Sequence, residues 1–202
     1  LESRFFIKDR KALVRPGVYV GLAVIVALLP LFFSSPYILH ILILTFIYTV
    51  ATVSFRTIVI SGQFPLGHAA FMGLGAYLSA MGAKWLGMSP WLTIPISALV
   101  TAGIGMLIGY PFSRLRTLYY AMGSLFFGIG IIQVIYAGGS WTGGYSGLTG
   151  IPALLTGIGS KVPYYYFFLG LALVSIAALY RIEFSRIGTN LKAIAQSHMV
   201  AS

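Results

Sequence analysis

The chain predicts an all-α membrane protein, a polytopic bundle of transmembrane helices of which one is broken. Three observations carry that fold class. Apolar residues make up 58% of the 202 residues and charged residues only 8%, against about 25% charged in an ordinary soluble domain, and the mean hydropathy is +0.93. Apolar runs of about 17 to 25 residues, the length that crosses about 30 Å of hydrocarbon, recur along the chain. The 13 basic residues punctuate these runs, whereas a nucleic-acid binder gathers them on one face among aromatic side chains.

The elements follow in order. Residues 1–16 carry Arg4, Lys8, Arg10, Lys11 and Arg15 against Glu2 and Asp9. No short apolar core with a small-residue cleavage site follows, so a removable signal peptide is not expected. The first span is 17–33, and Ser34-Ser35-Pro36 turns the chain. The second is 37–61, apolar for too long to be a buried strand. His40 lies near its start. Arg56 lies near its end, where an anchor at the water boundary avoids the roughly 2.5–3.5 kcal/mol of a mid-membrane arginine.

Next comes the stretch around which the chain is organised, Gly62-Gln63-Phe64-Pro65-Leu66-Gly67-His68, leading into a run rich in small residues as far as Tyr77. Proline removes a backbone donor and glycine weakens a helix. In hydrocarbon such a break persists only where protein or a water-filled cavity covers the freed backbone, and transporters tend to place substrate at broken helices. A plain turn between two spans is the alternative.

The third span, 68–83, is short. Trp85 and Trp91 then flank a loop with Gly87 and Pro90, as aromatic residues do at a headgroup boundary. The fourth span, 91–110, holds Gly105 and Gly109 at a spacing that lets membrane helices approach closely. A basic loop with Arg114 and Arg116 leads to the fifth span, 117–137. Residues 138–162 mix glycine with Trp141, Tyr145, Leu148 and Ile151, which predicts a connection folded back onto the protein. The sixth span is 162–180, and 181–202 is read as a cytoplasmic segment. The whole, 1–202, reads as one transmembrane domain, and the chain is expected to be part of a longer protein truncated at its C-terminus.

Charge sets the orientation. With the N-terminus in the cytoplasm, eleven basic residues fall inside and only Lys84 and Lys161 outside, alternating correctly through six spans. Other chemistry is missing. Gly159-Ser160-Lys161 lacks the upstream glycine of a phosphate loop, and Gly73-Leu74-Gly75 is no dinucleotide fingerprint. None of the three acidic residues lies in a predicted span, so there is no carboxylate relay of the kind that ion-coupled carriers bury. Three scattered histidines and no cysteine leave no metal site. No cofactor is expected, and a transporter driven by an outside energy source fits better than an enzyme.

Four motifs then resemble one family. They are Gly62-x-x-x-Leu66-Gly67-His68-Ala69-Ala70-Phe71-x-Gly73-x-Gly75-Ala76-Tyr77, Gly109-Tyr110-Pro111-x-x-Arg114-Leu115-Arg116, Thr142-Gly143-Gly144-x-x-Gly147-Leu148-x-Gly150-Ile151-Pro152, and Ser185-Arg186-Ile187-Gly188-x-x-Leu191-Lys192-Ala193-Ile194. In this order they are similar to the LivM-type permease subunits of branched-chain amino acid ABC importers. The resemblance implies an inner-membrane permease with a second permease subunit, two cytoplasmic ATPase subunits that use the ATP, and a periplasmic solute-binding protein. Related urea and short-chain amide permeases, or a membrane scaffold that transports nothing, are the alternatives. Two positions depart from the family pattern. Phe127-Gly128-Ile129 stands where members often carry Phe-Gly-Glu, and Ala195-Gln196-Ser197-His198 replaces an acidic tail.

Candidate pathway residues are Gln63, whose amide both donates and accepts, Pro65 and Gly67 of the break, and His68, which either meets a substrate carboxylate or simply starts the next helix. The resemblance makes 181–202 the segment that couples to the ATPase, with Arg186, Gly188, Leu191 and Ile194 as its candidate residues. Leu191, Ile194 and Ala195 fall on one helical stripe. An interfacial helix on anionic lipid is the other reading.

Overall fold

The computed structural model describes residues 16–32, 35–115, 117–155 and 161–200. The basic N-terminal stretch and Arg116 lie outside the described residues. Eight helices occur among them: α1 (Pro16–Phe32), α2 (Pro36–Val59), α3 (His68–Trp85), α4 (Pro90–Phe112), α5 (Thr117–Ala137), the single-turn α6 (Gly139–Thr142), α7 (Val162–Glu183) and α8 (Arg186–Val200). Helices α1 to α5 and α7 lie at the six predicted spans, their ends differing by no more than three residues; α6 falls in the connection after α5, and α8 in the segment 181–202. Pro36 and Pro90 open their helices, where a missing donor costs nothing.

Four helices, α2, α4, α5 and α7, are long and apolar enough to cross a membrane. The six-span count also uses α1, which at 17 residues is shorter, and α3, which is less apolar. The exposed surface of the helices is studded with Leu, Ile, Val and aromatic side chains, as a lipid-facing bundle requires. The protein is thus a multi-pass helical membrane protein.

Two groups of helices pack within the bundle. In the first, α2 lies along α7, with Leu39 and Ile43 of α2 and Tyr165 and Leu169 of α7 forming the buried cluster. Helix α1 joins it through its backbone. Pro30 has no N–H to offer the carbonyl one turn earlier, which is that of Val26, and the Tyr165 hydroxyl donates to this oxygen. Tyr166 donates to the neighbouring Ala27 carbonyl at 3.1 Å. In the second group α3 runs antiparallel to α4 and also packs on α5. Small residues set the closeness: a Cβ at Gly82 would lie 3.1 Å from Thr93, one at Gly75 3.4 Å from Thr101, and one at Gly105 3.6 Å from Phe71. Gly109 faces open space, so only half of the predicted small-residue pair is used.

The break between α2 and α3 is re-entrant. Helix α2 ends at Val59, Gly62 turns the chain with a φ of 84°, and the segment then climbs back beside α2. His68 therefore sits level with Ala51 and Ser54, roughly 8–12 Å above the end of α2 at 1.5 Å per residue. Phe64 packs edge-on against Phe55 with ring centroids 5.4 Å apart.

The connection after α5 folds back as predicted. Gly143, Gly144, Gly147 and Gly150 all take positive φ, which only glycine adopts freely. Lys84 at the end of α3 donates to the Thr149 carbonyl at 2.6 Å, and the Trp85 indole to the Trp141 carbonyl at 3.1 Å.

Candidate functional site

Between the α2–α7 pair and the α3–α4 pair lies a cavity of about 750 Å³. One wall is built from α2 (Phe46, Val50, Ser54) and α7 (Phe168, Leu171, Ala172), the other from α3 (Met72, Ala76, Ala80) and α4 (Ile94, Ser97, Thr101). Ile151, Pro152 and Leu154 of the folded-back connection add to the lining. Tyr164 fixes that connection, accepting from the Leu155 N–H at 3.1 Å and donating to the Leu155 carbonyl at 3.3 Å. Volume and lining match a small-ligand site, which is mostly apolar with a few placed polar groups.

The polar groups are few and nearly all engaged. His68 Nε2 lies 3.0 Å from the Ser54 hydroxyl and 3.2 Å from the Ala51 carbonyl, tying the start of α3 to α2. The Ser79 and Thr93 hydroxyls meet at 3.1 Å across α3 and α4, and Ser97 donates to the Ile94 carbonyl at 2.9 Å. Thr101 differs. Its Oγ1 is buried and has no hydrogen-bond partner among the described residues.

Of the sequence-predicted pathway residues, His68 lines the cavity, while Gln63, Pro65 and Gly67 are not among its lining residues. Gln63 is partly buried; Pro65 and Gly67 are buried. Gly67 presses on α5: a Cβ there would lie 2.1 Å from the Ser124 carbonyl oxygen. Later in the chain, Gly188 is likewise a close-approach residue, its Cβ position lying 2.1 Å from the Glu183 carbonyl oxygen. Arg186 is exposed and Leu191 partly buried, and the Ile194 side chain lies outside the described residues.

A sequence profile for the branched-chain amino acid transport system permease component matches residues 37–202. The chain belongs to this permease family. Two curated relatives, the high-affinity branched-chain amino acid transport system permease proteins LivM of Escherichia coli (strain K12) and of Salmonella typhimurium (strain LT2), are each 34% identical to it over 110 residues. That stretch is 54% of this chain and 26% of each relative, so the alignment spans about a quarter of their length. No solved structure matches the chain.

As a permease of this family, the chain has its small residues placed intelligibly. The departure at Ile129 falls on an exposed face of α5 and is not part of the cavity lining, whereas the adjoining Gly128 is buried against Gly67 and Ala70. The hydroxyl row of α4 went unread in the sequence, although Thr93, Ser97 and Thr101 recur every four residues and so share one helix face. Glu183, which the sequence places just outside the sixth span, is the last residue of α7. It was the one carboxylate near a predicted span, and the structure buries it against Arg56.

Proposed function

We propose that the chain is the transmembrane permease subunit of an ATP-driven importer carrying branched-chain and other hydrophobic amino acids across the inner membrane. The observation that carries this reading is the cavity between the two helix pairs, joined to the family membership. Its aliphatic and aromatic walls suit a hydrophobic side chain, and hydroxyls along α4 with His68 nearby suit the polar end. Urea and short amides, which have little apolar surface to bury, fit such walls less well.

In this reading the chain hydrolyses nothing itself. Two cytoplasmic ATPase subunits supply the energy, a second permease subunit completes the passage, and a periplasmic solute-binding protein delivers the amino acid. The N-terminus lies in the cytoplasm and six helices cross the membrane. The ends of α2 and α7 and helix α8 then face the cytoplasm, and α8 is the element the ATPase engages. The basic residues and the shared location of Arg56, Glu183 and Lys192 at one end of the bundle support that arrangement. Reconstitution of the chain with such partners in liposomes tests the reading. ATP-dependent uptake of leucine, isoleucine and valine is expected; uptake of urea or acetamide instead, or of nothing, would overturn it.

A further inference from the structure

Glu183 is the only carboxylate among the described residues, and it stands where three helices meet. Its side chain is 8% exposed. Its two oxygens accept from Nη1 and Nη2 of Arg56, both at 3.0 Å, and Lys192 Nζ lies 3.6 Å from Oε1. A forked pair of this kind fixes direction as well as distance. Arg56 sits on the last turn of α2, Glu183 closes α7, and Lys192 belongs to α8.

Two close approaches reinforce the junction. Gly188 lets the first turn of α8 lie against the Glu183 carbonyl, and Ala195 lies 3.2 Å from the Cβ position of Gly62, in the turn after α2. Helix α8 is thus joined to α7 directly and to the turn that follows α2, while the Arg56–Glu183 pair ties α2 to α7 at the same end of that wall. The opposite wall, α3 and α4, is held together by its own glycine contacts.

We propose that Glu183 is a positioning residue that joins α8 and the α2–α7 wall into one lever. Displacement of α8 by an ATPase then shifts that wall against the α3–α4 wall and reshapes the cavity. This rests on the reading of α8 as the ATPase-facing helix.

The test uses the full chain, alone in nanodiscs and assembled with its ATPases. Spin labels replace Thr52 on α2 and Ala193 on α8, both exposed. Glu183→Gln, which keeps shape and removes charge, is expected to broaden the label distance. In the assembled transporter it is expected to leave ATP hydrolysis running while uptake per ATP falls about fivefold or more. Glu183→Asp restores the charge and most of both readouts. Lys192→Met leaves the Arg56–Glu183 pair whole and is expected to broaden the distance without loosening the wall, which keeps the proposal testable should Glu183→Gln fold poorly. A narrow distance in Glu183→Gln overturns the junction. A broadened distance with normal uptake per ATP overturns the lever. If Leu191→Asp with Ile194→Asp leaves uptake at the normal rate, the docking reading itself fails, and the lever with it.

Discussion

Gly67 and Ser124 stand so close that a Cβ at position 67 would lie 2.1 Å from the Ser124 carbonyl oxygen. Backbone meets backbone here, so no side-chain rotation relieves the collision. The re-entrant segment is therefore seated on α5 through a glycine, and the Gly67 N–H faces the Ser124 hydroxyl at 3.4 Å. Gly67→Ala is expected to destabilise the protein by about 1–3 kcal/mol, the usual cost of overpacking. The thermal midpoint of the purified protein in detergent would fall. An unchanged midpoint would mean that α3 and α5 are not in contact at this point.

The Pro30–Tyr165 arrangement makes a sharper prediction. Tyr165→Phe strips the donor from the Val26 carbonyl and leaves it unpaired, at a cost of about 1–3 kcal/mol. Pro30→Ala restores an N–H one turn along, so the same change in that background is expected to cost much less. Equilibrium unfolding of the four variants measures the coupling. Equal costs in the two backgrounds would show that proline has nothing to do with the tyrosine.

The two ends of the bundle are chemically distinct. Lys84, Trp85 and Thr149 meet at one, and Arg56, Glu183 and Lys192 at the other. A cysteine at Lys161 is expected to react with an impermeant maleimide added outside intact cells, and one at Arg114 only after permeabilisation. The reverse pattern would invert the proposed orientation.

These ends explain how much was legible beforehand. Hydropathy, proline and tryptophan positions marked where α1 to α5 and α7 lie, because length and breaks are local properties of the chain. Gly62, Pro65 and Gly67 announced the break for the same reason. Which helix packs on which was not legible. A helix apolar all round presents no stripe to mark its buried face, so the pairing of α2 with α7 and of α3 with α4 left no periodic trace. The cavity follows from that pairing and was hidden with it. Glu183 shows the limit from the other side: a lone carboxylate beside a span was visible, but its partner Arg56 lies 127 residues away.

Helix α8 carries the coupling prediction. Leu191→Asp together with Ile194→Asp is expected to uncouple ATP hydrolysis from uptake without loss of membrane insertion. Because Ala195-Gln196-Ser197-His198 replaces an acidic tail, apolar contact is expected to dominate the docking proposed for α8, and the complex to survive high salt, which weakens mainly exposed charge pairs. Dissociation of the ATPases in high salt would point to a charged interface instead.

Thr101 offers the most direct test of the cavity. Its Oγ1 is buried in the wall without a partner among the described residues, whereas Ser79, Thr93 and Ser97 already have theirs. A buried hydroxyl left unbonded costs about 1–3 kcal/mol on protein scales. Thr101→Val, nearly isosteric, is therefore expected to leave the protein as stable as before or more so. If the hydroxyl is the group that meets the polar end of the passing amino acid, the same change raises the KM for leucine about two- to tenfold, the equivalent of about 0.5–1.5 kcal/mol for one neutral hydrogen bond. The two readouts move in opposite senses, which a packing role alone does not produce. Higher thermal stability with an unaltered KM would remove Thr101 from the substrate path and leave the cavity to its apolar walls.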